Sequence, residues 1–327
     1  GHRMDVVCLR PEADFARVGA LPPPSLNVVY RMPDSCDLGK IVRQARALVI
    51  PAVGPRIAPA LFENTKLELV QVTGAGLDRL NEATMKRLGI PVANVPAASN
   101  HAVAEYVVTA AVVLLRRLAW ADSEIRRGNY SPCRESLVAG NFSGLEGLLA
   151  GVVGLGTIGL AVATAFHKMG CRVCYYDPAP RDRAAAEALG ARPVSLHELL
   201  ETADVVSLHV PLLSETRGMI GERQLAKMKA GAVLIQASRG GVVDEVALAS
   251  HLRSGHLGGA AVDVYSSEPP AADNPLLALA AEGCGRLWLT PHIAGVTRQA
   301  SEVLFRTAWS NVERVLVAGQ PPLNRVY

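Results

Sequence analysis

The stretch "VVGLGTIG", residues 152–159, decides how this chain reads. Gly154, Gly156 and Gly159 stand between an apolar run and a helix-like segment. In that setting each glycine has its own task. The first permits a tight turn, the second lets the backbone approach a pyrophosphate, and the third lets the helix pack on the sheet. Phosphates then sit at the positive end of the helix, on N–H groups the helix leaves unused. Asp177, in "YYDP", lies 18 residues beyond Gly159, at the end of the next apolar run. That is close to the spacing of about 20 at which a carboxylate accepts hydrogen bonds from the ribose hydroxyls of NAD and repels a 2′-phosphate. NAD is therefore preferred to NADP, although Arg181 and Arg183 follow and temper the preference.

Outward from this loop, apolar runs alternate with helix-like segments. "AGVVG", "CRVCYYD", "DVVSLHV", "AVLIQAS", "GGAAVDV" and "RLWLT" read as strands, with "LAVATAFHKMG" and "EVALASHLRSG" among the helices between them. Upstream, "DVVCL", "NVVY", "ALVI", "LELVQV" and "PVANV" read as strands, and "LGKIVRQA" and "LNEATMKRLG" as helices. Such alternation implies parallel sheets. The expected fold class is α/β, with two doubly wound parallel-sheet domains. One is a Rossmann dinucleotide-binding domain; the other is smaller and flavodoxin-like. Residues 99–130 read as one long helix with a wide apolar surface, and a Pro- and Gly-bearing patch follows it. A last helix covers "QASEVLFRTAWSNVERVLVAG".

The 327 residues exceed what one core usually holds, which supports two domains. Half the residues are hydrophobic and 19% are charged, with a formal charge of +3. With both signs interspersed and no basic block, nucleic acid is not an expected partner. "YVVTAAVVLL" (106–115) is too short to span a bilayer, so no membrane association is expected. "GHRM" at the start reads as a cloning remnant, and no secretory signal is apparent. Six scattered cysteines fit a reducing cytoplasm. "CRVC" (171–174) has the spacing of a metal half-site but reads as a strand without a partner pair, so no metal site is expected.

Three residues follow strands of the second block: Arg239 after "AVLIQAS", Glu268 after "GGAAVDV" and His292 after "RLWLT". In a doubly wound sheet, ligands bind outside the carboxyl ends of the strands. Hydride transfer to a carbonyl leaves an alkoxide that needs a proton, and histidine suits that task near neutral pH. A carboxylate beside it favours the protonated ring, and a guanidinium can grip a substrate carboxylate. Singly these residues read as an ion pair, a loop charge and a core histidine. Together, at successive strand ends of one Rossmann block, they read as catalytic.

The chain resembles the D-isomer-specific 2-hydroxyacid dehydrogenase family, which includes glyoxylate/hydroxypyruvate reductases and phosphoglycerate dehydrogenases. The resemblance rests on "VTGAGLD" (72–78), "AVAEYV" (102–107), "GLGTIG" (154–159), "LHVPL" (208–212) with Thr216, "SRGGVVDE" (238–245), "AVDVYSSEP" (261–269) and "TPHIAG" (290–295). It implies a substrate domain of residues 1–99 plus 297–327 and an NAD-binding domain of residues 100–296, whose closure would expel water. Arg239 would bind the substrate carboxylate and carbonyl, and His292 would be the acid/base, paired with Glu268. Backbone N–H groups of Ala75 and Gly76 would hold the carboxylate. To the cofactor it assigns Leu155, Thr157 and Ile158 within the glycine loop, then His209, Val210, Pro211 and Thr216. It adds Ala237 and Ser238 beside Arg239, Asp263 at the carboxamide end of the nicotinamide, and Gly295 beside His292. It also implies a homodimer, for which the apolar 102–118 helix is a candidate element.

The implied activity moves hydride between NAD(H) and C2 of a small D-2-hydroxy or 2-keto acid. Two other readings stay open. One is a phosphite-type dehydrogenase on the same scaffold. The other is an NAD(H)-sensing binding protein like the corepressors that share this fold.

Overall fold

A computed structural model describes residues 4–179, 181 and 183–327; the opening Gly1–Arg3 of "GHRM" lies outside the described residues. The chain divides into two compact units: unit 1 is Gly1–Ser99 with Val296–Tyr327, and unit 2 is Asn100–Gly295.

Unit 1 contains the strands β1 (Val6–Cys8), β2 (Val28–Tyr30), β3 (Ala47–Pro51), β4 (Leu69–Thr73) and β5 (Val92–Ala93). Its first helices are α1 (Glu12–Arg17), α2 (Leu38–Gln44) and α3 (Glu82–Leu88). The parallel sheet has the order β2-β1-β3-β4-β5, the flavodoxin-like doubly wound arrangement. Strand side chains alternate between two cores, as a period of two requires. Val7, Leu48, Ile50, Val70 and Val72 face one side; Val6, Cys8, Ala47, Val49 and Leu69 face the other. α3 begins at Asn81, whose side chain accepts the Thr84 N–H, and ends at Gly89 with φ +66°.

Unit 2 opens with α4 (Asn100–Leu115), α5 (Leu118–Arg126) and α6 (Tyr130–Gly140). The single long helix expected over 99–130 is thus broken. Arg117 adopts φ +54°, and its guanidinium stacks 4.7 Å from the Trp120 ring centroid. A left-handed residue cannot continue an α-helix. The Pro-bearing patch expected next is instead α6, with Pro132 in its first turn, where a missing N–H costs nothing.

The remaining elements are β6 (Leu149–Val153), α7 (Thr157–Lys168), β7 (Arg172–Tyr176), α8 (Arg183–Ala188), β8 (Arg192–Pro193), α9 (Leu196–Thr202), β9 (Val205–Leu208), α10 (Glu222–Lys227), β10 (Val233–Gln236), α11 (Glu245–Arg253), β11 (Gly259–Val262), α12 (Pro275–Ala281) and β12 (Leu287–Leu289). The parallel sheet runs β12-β11-β10-β9-β6-β7-β8. From β8 to β11 this is the Rossmann order, extended by β12. The order reverses between β6 and β9, so the glycine loop after β6 opens at the switch point. β10 is buried throughout, with Leu234 in one core and Val233 and Ile235 in the other. The "CRVC" cysteines flank and enter β7; burial pushes the Cys174 thiol up to about 11. α4 packs on α7, β10 and β11, burying Val107, Ala110 and Ala111.

The last helix, α13 (Arg298–Leu316), belongs to unit 1. Its Phe305 and Trp309 rings lie 4.7 and 5.1 Å from that of Phe15 on α1. Among the described residues, no helix is long and apolar enough to cross a membrane.

Candidate active site

The glycine loop has the constraints its spacing implies. Gly154 adopts φ +91°, and a Cβ there would lie 2.2 Å from the His209 carbonyl oxygen. At Gly159 a Cβ would lie 1.9 Å from the Gly154 carbonyl oxygen, so only glycine lets α7 come this close to the loop. A Cβ at Gly156 would meet nothing within 4 Å, which leaves room over the N-terminus of α7 for a ligand. Asp177 sits beside the same loop. Its Oδ2 accepts the Leu155 N–H at 2.8 Å and Arg181 Nε at 2.8 Å, and its Oδ1 accepts the Ala179 N–H at 2.9 Å. Burial works to raise its pKa, but these donors outweigh burial and hold the carboxyl below its ordinary value. The residues present therefore fit a dinucleotide: an open cradle at Gly156, helix N–H groups, and a charged carboxylate at the next strand end.

The loop after β9 is tied by Thr216, whose Oγ1 donates to the Pro211 carbonyl at 2.6 Å and accepts the Leu213 N–H at 2.7 Å. His209 Nε2 lies 2.6 Å from Ser207 Oγ. Desolvation pushes the His209 pKa down to about 3, so this ring stays neutral near pH 7.

After β10, Ser238 donates its hydroxyl to Gln236 Oε1 at 2.7 Å, and Gln236 Nε2 donates to the Arg239 carbonyl at 3.0 Å. Arg239 Nη1 donates to the Ser238 carbonyl at 3.0 Å. A Cβ at Gly240 would fall 1.7 Å from the Tyr265 carbonyl oxygen, so glycine is what lets the chain turn just beyond Arg239. Glu268 follows β11 and His292 follows β12, and His292 Nδ1 meets Glu268 Oε2 at 2.6 Å. Their side chains are 30% and 29% exposed, which leaves them accessible to a ligand. Glu268 Oε1 also accepts the Tyr265 N–H at 3.1 Å. Arg239, Glu268 and His292 thus follow three neighbouring strands, with Glu268 and His292 in direct contact.

Asp263 is 1% exposed. Its carbonyl accepts the His292 N–H at 2.9 Å; its Oδ1 accepts the Ile293 N–H at 2.9 Å and the Thr290 hydroxyl at 2.7 Å; its Oδ2 accepts the Ala294 N–H at 3.0 Å. The turn of His292 to Ala294, which leads into Gly295, is therefore wrapped around Asp263.

Residues 108–294 match the model of the D-isomer specific 2-hydroxyacid dehydrogenase NAD binding domain. The glyoxylate reductase of Korarchaeum cryptofilum is 35% identical over 277 residues, covering 85% of this chain and 79% of that protein. The chain belongs to the D-isomer-specific 2-hydroxyacid dehydrogenase family. It carries the family's NAD-binding domain. The D-3-phosphoglycerate dehydrogenase of Mycobacterium leprae is 36% identical over 272 residues, which cover 83% of this chain. That match takes in 49% of the phosphoglycerate dehydrogenase, so the chain spans about half the length of this relative. Among solved structures, the apo D-mandelate dehydrogenase of Rhodotorula graminis aligns with TM-score 0.84 at 25% identity, covering 100% of this chain and 98% of that one.

In unit 1 of this family member, the loop after β4 is held from behind. The Gly74 carbonyl accepts the Val95 N–H at 2.9 Å, and the Ala75 carbonyl accepts Asn94 Nδ2 at 3.0 Å. In a planar trans peptide the N–H points opposite to the carbonyl. The N–H groups of Ala75 and Gly76 therefore point together, away from β5. Neither Asn94 nor Arg79 belongs to a motif that the sequence announces. The Arg79 side chain donates Nε to the Pro55 carbonyl at 2.9 Å and Nη1 to the Pro51 carbonyl at 3.0 Å, bracing the loop after β3. A buried polar residue just past an apolar strand is the signal available for Asn94; Arg79 reads as an ordinary loop charge.

Proposed function

We propose that the chain is an NAD(H)-dependent dehydrogenase that interconverts a small D-2-hydroxy acid and its 2-keto acid. The observation that carries this reading is the His292–Glu268 pair at a strand edge shared with Arg239 in an NAD-binding unit. Held by the glycine loop and Asp177, NAD(H) would supply the hydride chemistry at C2. With Nδ1 facing Glu268, His292 holds the mobile proton at Nε2. It delivers that proton to the forming alkoxide during reduction and takes it from the hydroxyl during oxidation. Glu268 orients the ring through its contact with Nδ1. Arg239 binds the carboxylate and polarises the carbonyl through its planar set of donors. His209 is the wrong histidine for this work, because a ring whose pKa burial pushes down to about 3 stays neutral near pH 7 and lacks the acidic proton of an imidazolium.

Unit 1 contributes the Ala75 and Gly76 N–H groups, which we assign to the substrate carboxylate. NAD is preferred over NADP because Asp177 carries its charge beside the glycine loop; its pairing with Arg181 limits that preference. His209 to Pro211, Thr216, Ala237, Ser238 and Gly295 border the same cofactor cleft in this reading. So does Asp263, although its carboxylate already has three donors.

The enzyme is further proposed to be a cytoplasmic homodimer paired through unit 2. α4 buries much of its apolar surface within its own unit, so the support comes instead from α5 and α6, which expose Leu118, Ile125, Tyr130 and Val138, with Phe142 exposed just beyond α6. The test is a spectrophotometric screen of glyoxylate, hydroxypyruvate, pyruvate and phenylpyruvate with NADH and NADPH, with phosphite plus NAD as the control for the other chemistry. Oxidation of NADH by at least one keto acid, abolished by His292→Ala, is expected. Turnover with phosphite alone would overturn the assignment.

A further inference from the structure

The acid/base histidine sits in a costly backbone conformation. His292 has φ +56°, and a non-glycine residue there gives up roughly 1–2 kcal/mol. Such strain persists only where the surroundings over-determine it. Asp263 is the first surrounding, since it takes the N–H groups of His292, Ile293 and Ala294.

Asp263 is itself oriented from outside its loop. Thr290 gives its single hydroxyl proton to Asp263 Oδ1, and Tyr106 Oη lies 2.5 Å from the same threonine oxygen. With the threonine proton committed, the tyrosine hydroxyl must be the donor. The polarity of the chain is therefore fixed: Tyr106 to Thr290, Thr290 to Asp263. Tyr106 lies on α4, and its ring stacks on Trp288 of β12 at 5.7 Å and 19°. The stack sets where the hydroxyl points. The Thr290 carbonyl has its own tether, the Tyr265 hydroxyl at 2.8 Å, so the backbone at this point does not depend on Tyr106.

We propose that Tyr106 is a positioning residue for His292, acting through Thr290 and Asp263 to hold the imidazole against Glu268. The proposal rests on the reading of His292 as the acid/base and adds a determinant outside the strand-end set. Removing the Tyr106 hydroxyl leaves Thr290 free to rotate, so Asp263 loses a directed donor and the His292 turn gains alternatives.

The experiment uses the full chain with Tyr106→Phe, Thr290→Val and Thr290→Ser. Tyr106→Phe keeps the ring stack, and Thr290→Ser keeps the hydroxyl. Tyr106→Phe and Thr290→Val are each expected to lower kcat about fivefold to tenfold, with KM for NADH within about twofold and Tm nearly unchanged. Thr290→Ser is expected to restore kcat, and the Tyr106→Phe/Thr290→Val double variant to lose no more than either single one. The second readout is the His292 Nδ1–H proton resonance, assigned by its loss in His292→Gln. It should broaden or shift in the two deficient variants and return in Thr290→Ser. Unchanged kcat and resonance in both deficient variants would overturn the proposal, as would additive losses in the double variant. If the resonance responds as expected while His292→Gln stays active, the positioning role stands and the acid/base assignment fails.

Discussion

Units 1 and 2 share an architecture and use it differently. Each is a parallel sheet with cores on both faces. At the strand ends of unit 2, polar side chains stand accessible: Glu268 and His292 meet at 2.6 Å, and Arg239 follows the neighbouring strand. At the strand ends of unit 1, two polar side chains turn inward. Asn94 and Arg79 spend their donors on backbone carbonyls, and the peptide groups of Ala75 and Gly76 are what remain presented. In the proposed function, one unit offers chemistry through residue identity and the other through backbone direction. Groups that must gain and lose protons have to be side chains, whereas a carboxylate can be held by N–H groups that never titrate.

The contrast can be broken most sharply in unit 2. His292→Ala and Arg239→Ala should each lower kcat by roughly 10²–10⁴-fold with an unchanged circular dichroism spectrum, as removal of a general acid or an oriented charge does. Ala75→Ser in unit 1 should stay within about twofold, because it leaves the N–H in place. A large loss there would mean that the Ala75 side chain, not its peptide, faces the substrate. Next in size is Gly159→Ala, whose added methyl collides with the Gly154 carbonyl. Fluorescence titration should give an NADH Kd weakened at least about tenfold, a cost of about 1.4 kcal/mol or more. A smaller change is expected for Asn94→Ala, which frees the Ala75 carbonyl: KM for the keto acid should rise several-fold, in line with about 1 kcal/mol for one hydrogen bond, while KM for NADH holds. Equal rises in both would remove the distinction between the units.

The smallest effect concerns acid stability. His209 in the folded chain protonates near pH 3, whereas the unfolded chain takes up that proton near pH 6.5. Between those values the unfolded state binds more protons, so stability falls as pH drops, by at most about 1.4 kcal/mol per pH unit. His209→Asn should flatten the fall of unfolding free energy between pH 6.5 and 5 in urea titrations. An unchanged slope would mean that the ring takes up its proton in the folded chain.

Both sheets, the switch-point loop and the three strand-end side chains are legible in the sequence because each has a short-range signature. Apolar runs announce buried parallel strands, and Gly154, Gly156 and Gly159 announce a turn that no side chain could occupy. What escapes has a long-range cause. Asn94 acts on Ala75 19 positions away, and Thr290 acts on Asp263 across 27. The α4–α5 break turns on a left-handed arginine, a conformation that glycine would have advertised and Arg117 does not. β8 is two residues long and ends in proline, too short for any period to register.

Unit 1 is assembled from two stretches separated by the whole of unit 2. The core around Phe15 is completed by Phe305, Trp309 and Val312 of α13, which the ribosome makes nearly three hundred residues later. During synthesis the early strands must wait with one apolar face bare, while unit 2 can already condense behind them. The nascent polypeptide therefore passes a long interval with that face uncovered before α13 is made and can close it.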